Sequence, residues 1–201
     1  MRMAAIDLVC LGDSIVYGYG TYPMGAWPRL AGEALGIRIL NQGENGDTAD
    51  GMNVRFMEDV LYHRPKEVFI MGGANDILMG IPQSHTCESM DRMVRKAEKA
   101  GIPVILGIPL QIDGELLEKC WFSCHSIEHT MALFREYREW LLDYCGKRQI
   151  PTVDFQEKFP EYLKKEGIVR GLQDGVHPTA EGYRVMAEIF CDAYRQIHGE
   201  K

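Results

Sequence analysis

Three side chains in this sequence form a hydrolytic relay if folding brings them together. Ser14 follows the apolar run Leu8-Val9-Cys10-Leu11, within Gly12-Asp13-Ser14. Far along the chain, Asp174-Gly175-Val176-His177-Pro178 sets a carboxylate and an imidazole three residues apart, among turn formers. A serine hydroxyl is a weak nucleophile until a base takes its proton, and an imidazole base needs a partner on its other nitrogen to hold its tautomer. The chemistry these types can do is acyl transfer, with Ser14 as nucleophile, His177 as base and Asp174 as the group that orients the base. Each fragment alone has a plainer reading, since Gly-Asp-Ser also caps helices and Asp-Gly also makes turns.

Such a reaction passes through an oxyanion, and losing one preorganised donor to it costs on the order of 3 kcal/mol of transition-state stabilisation. Gly43, in Asn41-Gln42-Gly43, offers a backbone N–H that no Cβ screens. Asn75, in Gly72-Gly73-Ala74-Asn75-Asp76, offers a side-chain amide. The Ser14 N–H is a third donor. The plainer readings are loop glycines at 43 and 46, and an asparagine that stabilises its own turn.

These residues are scattered, so the elements between them must do the gathering. Short apolar runs at 6–11, 37–40, 67–71, 102–107 and 150–153 predict strands. Segments 27–35, 50–62, 86–100, 126–146 and 179–197 predict helices. Ala100-Gly101-Ile102-Pro103 marks a helix stop, Arg64-Pro65 closes another helix, and Thr179 is an N-cap for the last. Runs such as Val104-Ile105-Leu106 lack alternation, as strands buried on both faces do. Strands alternating with helices predict an α/β sandwich with a five-stranded parallel sheet, and the expected strand order is the flavodoxin-like 2-1-3-4-5. The stretch 108–125 reads as a long functional loop. No linker or internal repeat divides residues 1–201, so one domain is expected. In this architecture ligands bind outside the carboxyl ends of the strands. Ser14, Gly43 and Asn75 each follow a strand, and Asp174 and His177 precede the last helix.

Taken together, the blocks resemble the SGNH (GDSL-type) hydrolases. The chain reads Gly-Asp-Ser at 12–14, Asn-x-Gly-x-x-Gly-x-Thr at 41–48, Gly-x-Asn-Asp at 73–76 and Asp-x-x-His-Pro at 174–178, in the family's order. The resemblance implies a flavodoxin-like three-layer α/β/α fold, with Ser14, Asp174 and His177 as the triad and Ser14, Gly43 and Asn75 as the oxyanion hole. It also implies hydrolysis of a carboxylic ester or thioester without metal or organic cofactor. Family members act on acetylated sugars, aryl esters, lysophospholipids and acyl-CoA. Ile15 replaces the leucine of the common signature, an aliphatic exchange. Val16 breaks the Gly-x-Ser-x-Gly pattern of the unrelated nucleophile elbow.

Composition narrows the partners. The chain of 201 residues carries a formal net charge of -7, a surface that repels phosphate backbones and argues against nucleic acid. No stretch approaches the ~18 apolar residues of a membrane span, and Asp7 interrupts the N-terminal apolar stretch, so a cytoplasmic protein is expected. Six cysteines in such a chain are expected as reduced thiols. Cys120, Cys124 and His125 lie close together, but the spacing is loose and no second ligand pair follows, which argues against structural zinc.

Three loops carry residues that could line a substrate pocket. They are 17–27 with Tyr17, Tyr19, Tyr22 and Trp27, 77–85 with Ile77 and Met79, and 108–125 with Ile108, Leu110, Ile112, Trp121 and Phe122. Ile77, Trp121 and Phe122 are the expected substrate contacts. The same residues would serve equally to pack loops onto the sheet. Two other functions compete: a non-catalytic relative that binds a ligand or protein in the same cleft, and a nucleotide-binding flavodoxin-like protein. The sequence after the first strand, Gly-Asp-Ser-Ile-Val-Tyr-Gly, lacks the closely spaced glycines of a phosphate loop.

Overall fold

The computed structural model describes residues 5–121 and 126–199. In chain order the elements are β1 (Leu8–Gly12), α1 (Ser14–Tyr17), α2 (Trp27–Leu35), β2 (Ile39–Gly43), α3 (Ala49–Asp59), β3 (Glu67–Met71), α4 (Ala74–Leu78), α5 (Gln83–Lys99), β4 (Val104–Ile108), α6 (Gly114–Cys120), α7 (Ile127–Arg148), β5 (Thr152–Asp154), α8 (Phe155–Glu166) and α9 (Ala180–His198). A 3₁₀ turn, Leu61–His63, follows α3. The strands are all parallel and lie in the order β2-β1-β3-β4-β5.

Strand pleating explains the three layers. Along β1, Val9 and Leu11 face one way and Leu8 and Cys10 the other, and both pairs are fully buried. Val9, Leu11, Val68, Ile70 and Leu106 meet α3, α5 and α7 through residues such as Phe56, Met93 and Phe134. Leu8, Cys10, Phe69, Met71 and Ile105 meet α2, α8 and α9 through Trp27, Phe155 and Phe190. The helices on each face are amphipathic at the spacing this requires. In α7, Phe134, Tyr137, Leu141 and Cys145 are buried, and in α9 so are Tyr183, Met186, Phe190 and Tyr194. Trp27 stands at the centre of the second core, its ring 5.3 Å from Phe69 and 5.0 Å from Phe190, in tilted and edge contacts.

Local chemistry sets the ends. The Thr179 side chain accepts from the Gly182 N–H at 3.1 Å and starts α9. Pro28 opens α2 and left-handed Gly36 closes it. One expectation needs correction, and one helix was not expected. The stretch 108–125 is not a featureless loop, because Asp113 accepts from the Leu116 N–H and caps α6. The segment after β5 forms α8 despite Pro160, with Phe155 and Phe159 buried. No helix among the described residues is long and apolar enough to cross a membrane. Cys10, Cys87, Cys120, Cys145 and Cys191 are free thiols, while Cys124 and His125 lie outside the described residues.

Candidate active site

β1 delivers Ser14. The strand ends at Gly12, and Asp13 turns the chain by accepting the Ile15 N–H at 2.9 Å as the cap of α1. Asp13 is buried, and burial lifts its carboxyl to about 7, with the nearby charges of Asp47 and Asp76 adding to the rise. Ser14 is left on the first residue of a one-turn helix at the carboxyl end of β1, an inner strand of the sheet.

The other two members sit on a short loop clamped at both ends. Leu172 bridges to Pro178, the Gln173 N–H donates to the His177 carbonyl at 2.8 Å, and the Asp113 N–H donates to the Gly175 carbonyl at 2.9 Å. Gly175 has φ +94, and a Cβ there would lie 2.5 Å from the Leu117 nitrogen, so the turn admits only glycine. Asp174 uses both oxygens. Oδ1 accepts the backbone N–H groups of Val176 and His177 at 3.0 and 2.8 Å, and Oδ2 accepts from His177 Nδ1 at 2.8 Å. Burial pushes this carboxyl up, but the hydrogen bonds from His177 and Val176 outweigh it and hold Asp174 below the usual range. A carboxylate only accepts, so Nδ1 carries the proton and Nε2 presents its lone pair. That lone pair faces Ser14 Oγ at 2.8 Å. Ser14 and His177 are both 5% exposed, so the pair is shielded from bulk water while still reachable.

Two aromatic rings flank the imidazole. The Tyr19 centroid lies 4.4 Å from that of His177, and the Trp121 centroid 5.7 Å. Trp121 also lines an open cavity of about 890 Å³ between α6 and α7, together with Asp113, Glu115, Glu118 and Met131. Of the residues expected to contact substrate, Trp121 therefore stands beside the relay. Ile77 does not: it is 5% exposed and packs into the first core. Ile108, Leu110, Ile112 and Trp27 are likewise core residues. Phe122 lies outside the described residues.

The expected oxyanion donors are differently disposed. Asn75 follows β3 on α4, and its Nδ2 donates to the Asp47 carbonyl at 2.8 Å, which leaves a second amide hydrogen. The Gly43 N–H is engaged, donating to Asn41 Oδ1 at 2.9 Å. Gly43 is glycine for packing, because a Cβ would lie 2.1 Å from the Tyr17 nitrogen. Asn41 is the residue sequence reasoning passed over. Its Nδ2 donates to the Val16 carbonyl at 2.8 Å, so one side chain ties β2 to the helix that carries Ser14. The signal was present as the first letter of the Asn-x-Gly block.

A family model described as the GDSL-like lipase/acylhydrolase family matches residues 10–185. The chain belongs to that family. The GDSL-type relatives include an acetylxylan esterase of Geobacillus stearothermophilus, 27% identical over 183 residues, covering 86% of this chain and 78% of that one. The esterase TesA of Pseudomonas aeruginosa is 33% identical over 189 residues, covering 89% and 82%. Among solved structures, a G-D-S-L family protein of Desulfitobacterium hafniense superposes with a TM-score of 0.77 at 28% identity, covering 93% of this chain and 98% of that one. The five-stranded parallel sheet with helices on both faces is thus the GDSL-type fold. The departure from the GDSL signature is harmless to packing, since Ile15 is buried in the second core beside Val16.

Proposed function

We propose that this protein is a serine-dependent carboxylic ester hydrolase working through an acyl-enzyme. The observation that carries the reading is the unbroken chain of hydrogen bonds from Ser14 Oγ to His177 Nε2 and from His177 Nδ1 to Asp174, each 2.8 Å. In the acylation step His177 Nε2 takes the Ser14 proton as Oγ attacks the ester carbonyl, and the imidazolium returns that proton to the leaving alkoxide. A water activated by the same nitrogen then hydrolyses the acyl-enzyme. Asp174 holds the tautomer throughout and favours the imidazolium. The Ser14 N–H and the second hydrogen of Asn75 Nδ2 are the donors we assign to the oxyanion. Gly43 would join them only by leaving Asn41, and so acts first as a packing residue.

The aromatic walls beside His177 suit an apolar or sugar-like group. The carboxylates around the opening next to Trp121 disfavour a phosphate-bearing leaving group, so esters of neutral alcohols are favoured over acyl-CoA and lysophospholipids. The relatives named as esterases support an ester substrate. A panel of p-nitrophenyl esters of increasing acyl length, beside Ser14→Ala, tests the reading. Turnover by wild type and covalent labelling of Ser14 by a fluorophosphonate are expected. Labelling at a different serine, or full turnover by the variant, would overturn it. No turnover of any ester would favour a binding relative that keeps the cleft.

A further inference from the structure

One side chain outside the relay ties together the segments that carry the oxyanion side. Arg55, on α3, is only 13% exposed, and four of its N–H groups are engaged. Nε donates to Asp47 Oδ2 at 2.7 Å, Nη1 to the Gln42 carbonyl at 3.0 Å and to Asp59 Oδ2 at 2.5 Å, and Nη2 to the Gly12 carbonyl at 2.8 Å. Gly12 ends β1 two residues before Ser14, and Gln42 stands one residue before the end of β2. Asp47 lies in the loop that follows, and its carbonyl receives Asn75 Nδ2. A single planar cation therefore fixes the spacing between the strand that delivers the nucleophile, the neighbouring strand and the loop on which the amide donor rests.

We infer that Arg55 is a positioning residue for the oxyanion side: it holds loop 44–48, and through Asp47 the Asn75 amide, in register with Ser14. The inference rests on the assignment of Asn75 as an oxyanion donor. A guanidinium suits the task because its rigid fork serves several acceptors in one plane, whereas an ammonium is a compact point charge. Helix α3 does not depend on Arg55 for docking, since Met52 and Phe56 are fully buried in the first core and Thr48 caps its start. The relay does not depend on it either, because none of its four acceptors belongs to Asp174 or His177. Displacement of a donor by about 1 Å is enough to cost on the order of a hundredfold in rate.

The test compares Arg55→Met, Arg55→Lys and Arg148→Met. Arg148 joins α7 to α5 through Glu98, and so controls for the loss of a partly exposed, ion-paired guanidinium away from the site. On one good ester, Arg55→Met should lose roughly tenfold to a hundredfold in kcat with KM within about twofold. Arg55→Lys should recover part of that loss, and Arg148→Met should lose none. Hydrogen exchange should quicken in residues 43–48 of Arg55→Met and stay unchanged at 172–178. Unchanged kcat in Arg55→Met overturns the inference. So does a loss shared equally by Arg148→Met, or by kcat and KM together. If wild type turns over no ester, the hydrolase reading fails separately. Hydrogen exchange then decides whether Arg55 holds the loop, and unchanged exchange at 43–48 overturns the inference on its own.

Discussion

The two halves of the candidate site are built on opposite plans. The Asp174–His177 half is local: the two lie three residues apart, and the carboxylate satisfies two backbone N–H groups of its own loop before it reaches the imidazole, so that only the contact with Ser14 is long-range. The donor half is assembled at long range. Asn75 leans on Asp47, 28 residues earlier, and Asn41 reaches back 25 residues to Val16. Local geometry is fixed by turn chemistry and survives small shifts of the layers. Long-range geometry inherits every shift of the helices that carry it. The comparison teaches that the relay is robust in shape and sensitive in chemistry, while the donor side is the reverse.

Substitutions can break this contrast in order of size. Ser14→Ala removes the nucleophile and should cost on the order of 10⁶-fold in kcat, with the fold intact, read by steady-state turnover beside thermal melting. Asp174→Asn keeps the shape but exchanges an acceptor for an amide that disfavours the working tautomer. It should lose on the order of 10⁴-fold in kcat, and a variant that unfolds instead would make Asp174 a structural residue. Asn75→Ala should lose about a hundredfold in kcat with little change in KM, because the charge it meets develops mainly in the transition state. A rise in KM alone would place Asn75 in ground-state binding.

Two smaller effects sharpen the contrast. Gly43→Ala should lower stability by about 1–3 kcal/mol, as overpacking against the Tyr17 backbone requires. Urea unfolding measures this, and an unperturbed midpoint would show that the close approach is soft. Asp13 gives a stability effect that depends on pH. Its folded-state pKa of about 7 lies above the ordinary 3.8, so between these values the folded protein holds a proton that the unfolded chain has released. Its contribution to stability is therefore complete below 3.8 and is lost as pH rises towards 7. Asp13→Asn retains a capping oxygen and removes that slope. The variant should gain on wild type between pH 4 and pH 7 in urea unfolding, and parallel curves would refute the buried acid.

The sequence showed the architecture in proportion to pattern length. β3 and α2 were legible to the residue, because a continuous apolar run and a proline-to-glycine frame leave little choice. The parallel sheet followed from the alternation of elements, and the flavodoxin-like strand order, chosen once right-handed crossovers had narrowed the topologies, is the one observed. Helix α8 was missed although Phe155, Phe159, Tyr162 and Leu163 carry helical spacing, because Pro160 argues against a helix until Asp154 is seen to cap it through the Glu157 N–H. The one-turn helices α1 and α4 are too short for any period to show. At the candidate site, the pattern of chemical types was enough to single out Ser14, His177 and Asp174, which the fold brings into one hydrogen-bonded chain, and Asn75, whose amide meets the Asp47 carbonyl. The engagement of Gly43 was not, because a glycine kept for a free N–H and one kept for close packing look alike in sequence. Ile77 was misplaced for a similar reason, since an aliphatic residue beside a site carries no mark of the face it turns to.

The ring contact between Trp121 and His177 also makes the molecule its own spectrometer. Of the three tryptophans, Trp27 is sealed in the second core and Trp140 stacks between Tyr137 and Tyr144. Both pack against other aromatic rings rather than against the imidazole. The indole at 121 has its centroid 5.7 Å from that of His177 and lines the opening beside it. A change in its emission when an ester analogue enters is therefore expected to report occupancy of the candidate site, without label or turnover.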